Sequence, residues 1–366
     1  MEIEALLREM VERGASDLHA VAGKVPYLRV AGRLVAVDAP PVRPDAIVEV
    51  IPDGLRRRFD RGEDVDWSLA LDGGFFRLHA YRSSGGPALA ARRVPGRIPT
   101  IEELGLPPIL HRWAQLSMGL VLVCGVTGSG KSTALASMLD EINRTRAVHI
   151  LTVEDPIEYR YTPALSLVSQ RQVGLHVPSF AAALRSAMRE DPDVILVGEI
   201  RDAETAEAAM LLAESGHLLF STLHVGSVSD IPYRMADLFP PERRGSALAQ
   251  LAQVFQGGMV LRLLPRVGGE GETDPFRQRV AAAEVLVGTP AVKALIRSGE
   301  VHKLKAQMEL EREAGMRSLD EALAELVSLG LVAEEEALLA CHSPDELKKH
   351  IRKGAWLPST ALQQMT

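Results

Sequence analysis

Cys124 and Cys341 are the only cysteines in the 366 residues, and neither has a CxxC neighbour. A disulfide framework and a cysteine zinc site are thereby excluded. No apolar run approaches the roughly 18 residues that span a bilayer. The opening stretch, MEIEALLREMVERGASDLH, carries acids throughout and lacks the basic, apolar and small-residue order of a secretory signal. It reads as an amphipathic helix of a cytoplasmic protein without direct membrane insertion. Positive charge is also short: the formal net charge is −7. With no evident basic and aromatic face, that balance counts against nucleic acid as the main partner.

Asparagine occurs once, at Asn143, and between Lys24 and Lys293 the single lysine is Lys131. A general replacement of lysine by arginine accounts for the scarcity. A lysine kept in such a background marks a place for a compact ammonium rather than a planar guanidinium.

Lys131 lies in GVTGSGKST, residues 125 to 133, directly after the apolar run 120–124. From Gly125 to Ser132 the stretch fits G-x-x-x-x-G-K-[ST], a loop whose backbone N–H groups curl around phosphates at a helix N-terminus. Gly125, Thr127, Gly128, Ser129, Gly130, Lys131, Ser132 and Thr133 are therefore the candidate contacts to ATP. Lys131 would reach the β- and γ-phosphates, and the Ser132 hydroxyl would hold Mg²⁺.

Three patterns divide the chain. Residues 1–96 alternate short strand-like runs with a helical stretch, predicting a small α+β domain, and the proline-bearing segment 97–108 reads as a linker. Residues 109–290 carry the continuous apolar runs GLVLVCG, HILTVED, DVILVGE and HLLFSTLH, with helices expected at 131–144, 179–189, 203–214 and 242–256. This predicts a largely parallel, doubly wound α/β domain. Residues 291–366 read as helical, with capping-box spacing at Ser318/Glu321 and Ser343/Glu346.

The apolar strands end in polar residues, and in open parallel sheets ligands bind beyond the carboxyl ends of the strands. Glu154, Asp155, Glu158, Glu199 and His224 are accordingly expected to gather near the γ-phosphate. Together with MREDPDVILVGEIRD, ILTVEDPIEY, GHLLFSTLH and the N-terminal GASDLHAVAGKVPYLRVAGRL, these residues resemble the secretion and type IV pilus ATPase superfamily. Within it they are similar to the twitching-motility retraction ATPases, the PilT branch. The likeness runs over nearly the whole chain.

That resemblance implies a RecA-like P-loop ATPase core with a PAS-like N-terminal domain. Glu158 matches the carboxylate that polarises the attacking water. Glu199 matches the one acting on Mg²⁺ and its waters. His224 matches a histidine near the γ-phosphate, with His217 earlier in the same motif as a further nucleotide contact or a buried structural residue. Arg77 and Arg92 match arginines that face the nucleotide from the N-terminal domain and linker, while Gly85 stands where the branch has an arginine. The helix AVKALIRS, residues 291–298, keeps the apolar spacing of the branch's C-terminal motif through Val292, Leu295 and Ile296; Ala294 and Ser298 depart from it.

The implied activity is a cytoplasmic homohexameric Mg²⁺-ATPase that drives pilus retraction through an inner-membrane platform protein. Competing readings are an assembly or type II secretion ATPase without the zinc module, an accessory retraction paralogue, a RecA-like nucleic-acid translocase, and a nonhydrolysing regulator.

Overall fold

The computed structural model describes residues 3–30, 33–71, 74–94, 96–269 and 276–353. The end of the expected helical tail, 354–366, lies outside them. Two compact units divide the chain, but not in sequence order. The first unites 1–98 with 151–162 and 168–186; the second holds 99–150, 163–167 and 187–366. The segments around Glu158 and Gln172, read from sequence as part of the 109–290 block, thus belong to the unit built on the N-terminal sheet.

In the first unit, six antiparallel strands lie in the order β3-β2-β1-β6-β5-β4. They are β1 (Asp17–Val21), β2 (Tyr27–Val30), β3 (Arg33–Ala36), β4 (Val65–Leu71), β5 (Gly74–Ser83) and β6 (Gly86–Val94). Alternation along β5 explains its two faces. Phe76, Leu78 and Ala80 are fully buried, whereas Arg77 and His79 between them are half-buried on the other side. Leu18, Leu28 and Trp67 join the inner face, and Leu6, Leu7 and Met10 of the helix Ile3–Glu12 close over the same core, as does Phe59. Register sets a polar row on the outer face: Arg29, Asp17, Arg92, Arg77 and Ser68 stand side by side on five neighbouring strands.

The second unit holds β7 (Gly119–Cys124), β10 (Val194–Val197), β11 (Leu218–Leu223), β12 (Phe255–Pro265) and β13 (Arg279–Val287), in the order β13-β12-β7-β11-β10. The remaining strands of that sheet, β8 (His149–Glu154) and β9 (Leu167–Gln172), begin in this unit and run on into the first. Every residue of β7, β10 and β11 is buried, as continuous apolar strands require. β7 pairs in parallel with β11 and β12, and β13 returns antiparallel to β12. The expected helices are present as Lys131–Thr145, Ala203–Glu214 and Arg244–Val254, with Phe180–Ala187 in the first unit up to Ser186.

The C-terminal helices follow. Ser318 accepts from the Glu321 N–H at 3.2 Å while the Glu321 carboxylate accepts from the Ser318 N–H at 3.0 Å, so the predicted capping box opens the helix Leu319–Ser328. Ser343 caps the helix Pro344–Lys353 in the same sense, accepting the Glu346 N–H at 3.4 Å.

Candidate functional site

β7 delivers the chain into the glycine loop, and the fifteen-residue helix Lys131–Thr145 leaves it. Gly125 has φ +136°, and a Cβ there would stand 2.7 Å from the Leu261 carbonyl oxygen, so no other residue fits. The helix begins on Gly130 in a left-handed conformation, and no side chain caps it. Ser129 is buried with its Oγ unpartnered, and Lys131 Nζ donates to the carbonyls of Gly125 (3.0 Å) and Val126 (2.9 Å). An orphaned hydroxyl, a positive helix end and a folded-back ammonium together fit a phosphate group.

Glu199 and His224 sit at the carboxyl ends of β10 and β11. Two hydroxyls tie those ends together: Ser221 Oγ donates to the Val197 carbonyl at 2.8 Å and Thr222 Oγ1 to that of Gly198 at 2.7 Å. His224 Nε2 then lies 3.7 Å from the Glu199 carboxylate, which also pairs with Arg201. Burial and the Lys131 ammonium push the His224 imidazole below its ordinary value, with Glu199 opposing them. Lys131, Glu199 and His224 thus form one electrostatic cluster. A single well-covered carboxylate, with a hydroxyl at Ser132 on the first turn of the loop helix, suits Mg²⁺, which keeps waters and substrate phosphates as its other ligands. Among the described residues, no group of three or more His, Cys, Asp and Glu could hold a metal by itself.

His217 is not brought into this cluster. Strand β11 separates it from His224, and it lies at the opposite end, where its carbonyl accepts the Gly119 N–H at 3.0 Å. At about 3.3 Å per residue, six strand residues put roughly 20 Å between the two histidines. Its Nδ1 faces the Leu212 carbonyl at 2.9 Å, the contact of a structural histidine.

The other predicted carboxylates gather in the first unit. Glu158 pairs with Arg77 Nη1 at 3.1 Å, and Arg77 Nη2 reaches Asp66 at 4.0 Å. Ser68 Oγ donates to the Ile157 carbonyl, fastening the segment before Glu158 to β4. Glu154 and Glu158, alike in sequence, differ sharply here. The Glu158 side chain is 36% exposed. Glu154 is buried, and its Oε1 takes Thr152 Oγ1 at 2.6 Å and Gln170 Nε2 at 3.2 Å. Its Oε2 accepts the Glu158 N–H at 3.4 Å, and Gln170 also donates to the Tyr159 carbonyl at 2.8 Å. Burial raises the Glu154 carboxyl to about 7 against these donors. Thr152 and Gln170, absent from the sequence reading, hold the Glu158 segment through Glu154; nothing local in the sequence signals them.

Arg92, opposite Arg77 in register, turns instead to Asp17, donating through Nε at 2.8 Å. Burial would raise the Asp17 carboxyl, but the hydrogen bonds from Arg92 and Ser16 outweigh it and hold the group below its ordinary value. The Arg92 side chain itself remains 74% exposed.

A parallel sheet with its glycine loop, uncapped helix and lysine at the carboxyl end of the central strand defines a P-loop nucleotide-binding protein. Comparison with known proteins narrows the class: the family model described as "Type II/IV secretion system protein" matches residues 100–339. The chain belongs to that family and is an ATPase. It is 40% identical to the type IV pilus retraction ATPase PilT of Pseudomonas aeruginosa over 342 residues, covering 92% of this chain and 97% of the relative. It is 38% identical to the type IV pilus ATPase PilU of the same organism over 371 residues, covering 100% and 95%. Among solved structures, the pilus retraction motor PilT with bound ADP superposes with a TM-score of 0.85 at 38% identity, covering 95% of this chain and 99% of that one.

Proposed function

We propose that this ATPase is a homohexameric, cytoplasmic motor that retracts a type IV pilus, acting at the inner membrane through a platform protein of the pilus machinery. The observation that carries the reading is the 40% identity to a retraction ATPase across 92% of the chain, because it includes the N-terminal sheet as well as the nucleotide core. The AVKALIRS helix supports it. Val292 and Ile296 are fully buried, and both departures from the motif, Ala294 and Ser298, fall on its exposed side.

Lys131 exchanges its two loop carbonyls for phosphate oxygens when ATP binds, and the Ser129 hydroxyl and the uncapped helix N-terminus supply further donors. Ser132 and Glu199 would hold Mg²⁺, which offsets charge on the phosphates. His224 donates or accepts a hydrogen bond beside the γ-phosphate. Glu158 polarises the attacking water. Arg77 holds that carboxylate in place through their ion pair, and Arg92 offers its exposed side chain to developing negative charge.

The departures at Ala294 and Ser298 from the branch's C-terminal motif motivate one second reading, an accessory retraction paralogue. A deletion strain complemented with the parental gene or with Lys131→Ala tests both. Retraction predicts lost twitching with pili retained, restored by the parental gene and not by Lys131→Ala. A deletion strain without pili would mean that the protein assembles them. Undiminished twitching would leave the accessory role.

A further inference from the structure

β13 is apolar and buried from Val280 to Leu286 except for one residue, Glu284, which is 5% exposed. A carboxylate in such a strand costs several kcal/mol unless its oxygens are partnered. Its partners come from outside the strand. Oε2 accepts the Val228 N–H at 2.8 Å, and Ser227 adds a side-chain hydrogen bond. His342 Nδ1 stands 3.9 Å from Oε1. Burial pushes the Glu284 carboxyl above its ordinary value, and the Val228 N–H and His342 oppose the rise.

Val228 and Ser227 belong to the short segment that follows His224 off the end of β11, where His224 and Gly226 are exposed. A second grip comes from the C-terminal helices. His342 Nε2 lies 3.3 Å from the Gly226 carbonyl, and since a carbonyl only accepts, that nitrogen carries the proton. His342 is itself fixed from behind: the buried Asp320 accepts the N–H groups of His342 (2.7 Å) and Ser343 (3.1 Å). An exposed loop is thereby clamped from two sides directly after a residue of the nucleotide site.

We infer that Glu284 and His342 are positioning residues for ATP hydrolysis: they fix the segment 225–228 and so the placement of His224, making the C-terminal helices part of what sets the catalytic geometry. The inference rests on the assignment of His224 to the nucleotide site. Neither residue touches substrate; both act through the loop.

The test compares His342→Ala, His342→Gln, Glu284→Gln and Arg262→Ala in the full chain. Arg262 is the control, because its Nη1 grips the same C-terminal segment at the Ala340 carbonyl (2.7 Å). Loss of the clamp is expected to lower kcat of His342→Ala by about ten- to a hundredfold, with KM for ATP within about twofold of the parental value. His342→Gln keeps an N–H donor for Gly226, and Glu284→Gln keeps an acceptor for Val228; both are expected to retain most of kcat, as is Arg262→Ala.

Parental kcat in His342→Ala would overturn the inference, as would an equal loss in Arg262→Ala, which would mean general loosening. Hydrogen exchange of the 224–230 segment reads the clamp without catalysis, and faster exchange in His342→Ala alone is expected. Unchanged exchange there overturns the clamp. Absence of Lys131-dependent turnover in the parental protein would instead refute the ATPase reading and leave the exchange result to decide the clamp.

Discussion

Glu158 and Glu199 are both carboxylates at strand ends, yet their surroundings assign them different work. Glu158 is half-exposed beside Arg77, and Glu199 is well covered beside Arg201 and His224. If the first acts on water and the second on Mg²⁺, Glu158→Gln keeps Mg·ATP affinity and loses turnover. Glu199→Gln loses turnover too, and its ATP affinity becomes less sensitive to Mg²⁺. ATP titrations with and without Mg²⁺, run beside phosphate-release assays, separate the two; parental turnover in Glu158→Gln would move the base elsewhere.

Glu154 makes a different prediction. Its carboxyl rises from 4.5 to about 7 in the fold because it is buried, so the folded protein holds that proton more tightly than the unfolded chain. The resulting stability is complete below pH 4.5 and is lost as pH climbs through about 7. The loss amounts to on the order of 3 kcal/mol. Glu154→Gln removes this term, so its urea midpoint should change less between pH 5 and pH 8 than the parental one. Parallel pH profiles would show that the buried carboxyl is ionised throughout. The sequence could not separate Glu154 from Glu158, since burial comes from Thr152, Gln170 and the packing of a strand end. His217 and His224 share one motif by resemblance, but the strand between them, Leu218–Leu223, converts that sequence nearness into distance.

At the scale of elements, the buried parallel strands were legible because no charged residue interrupts their apolar runs. The sequence pattern does not announce β12 and β13. β12 follows the helix Arg244–Val254 without a turn residue between them, so the helical pattern runs on into Phe255. Its glycines also read as breakers. In the fold they are places of close approach: a Cβ on Gly257 would stand 2.3 Å from Trp113, and one on Gly258 would stand 2.4 Å from Ile231. The capping box at Ser318 was legible because both its partners lie within one turn. It opens a helix whose Leu319 and Leu323 are fully buried. Ser318→Ala should cost about 1 kcal/mol in urea unfolding, and an unchanged midpoint would assign the helix start to its packing alone. The clamp through Glu284 and His342 joins residues 56 and 116 positions from their partners in the loop they hold, and no local pattern could have announced it.

At the scale of the whole molecule, the order of the chain and the grouping of its contacts disagree. The sequence suggests a linker at 97–108 and two consecutive domains. The backbone instead passes between the units after residues 98, 150, 162, 167 and 186. A protease nick at the first crossing would separate 1–98 from 151–162 and 168–186, the rest of its unit, which stay on the other piece. A chain begun at Pro99 would still contain the Ile157 carbonyl and Gln172, but not Ser68 and Asp66, to which they are bonded. The N-terminal sheet is therefore not a cassette that recombination or subcloning could lift away intact; an exchange between relatives that respects the fold must carry the 151–186 region along with it.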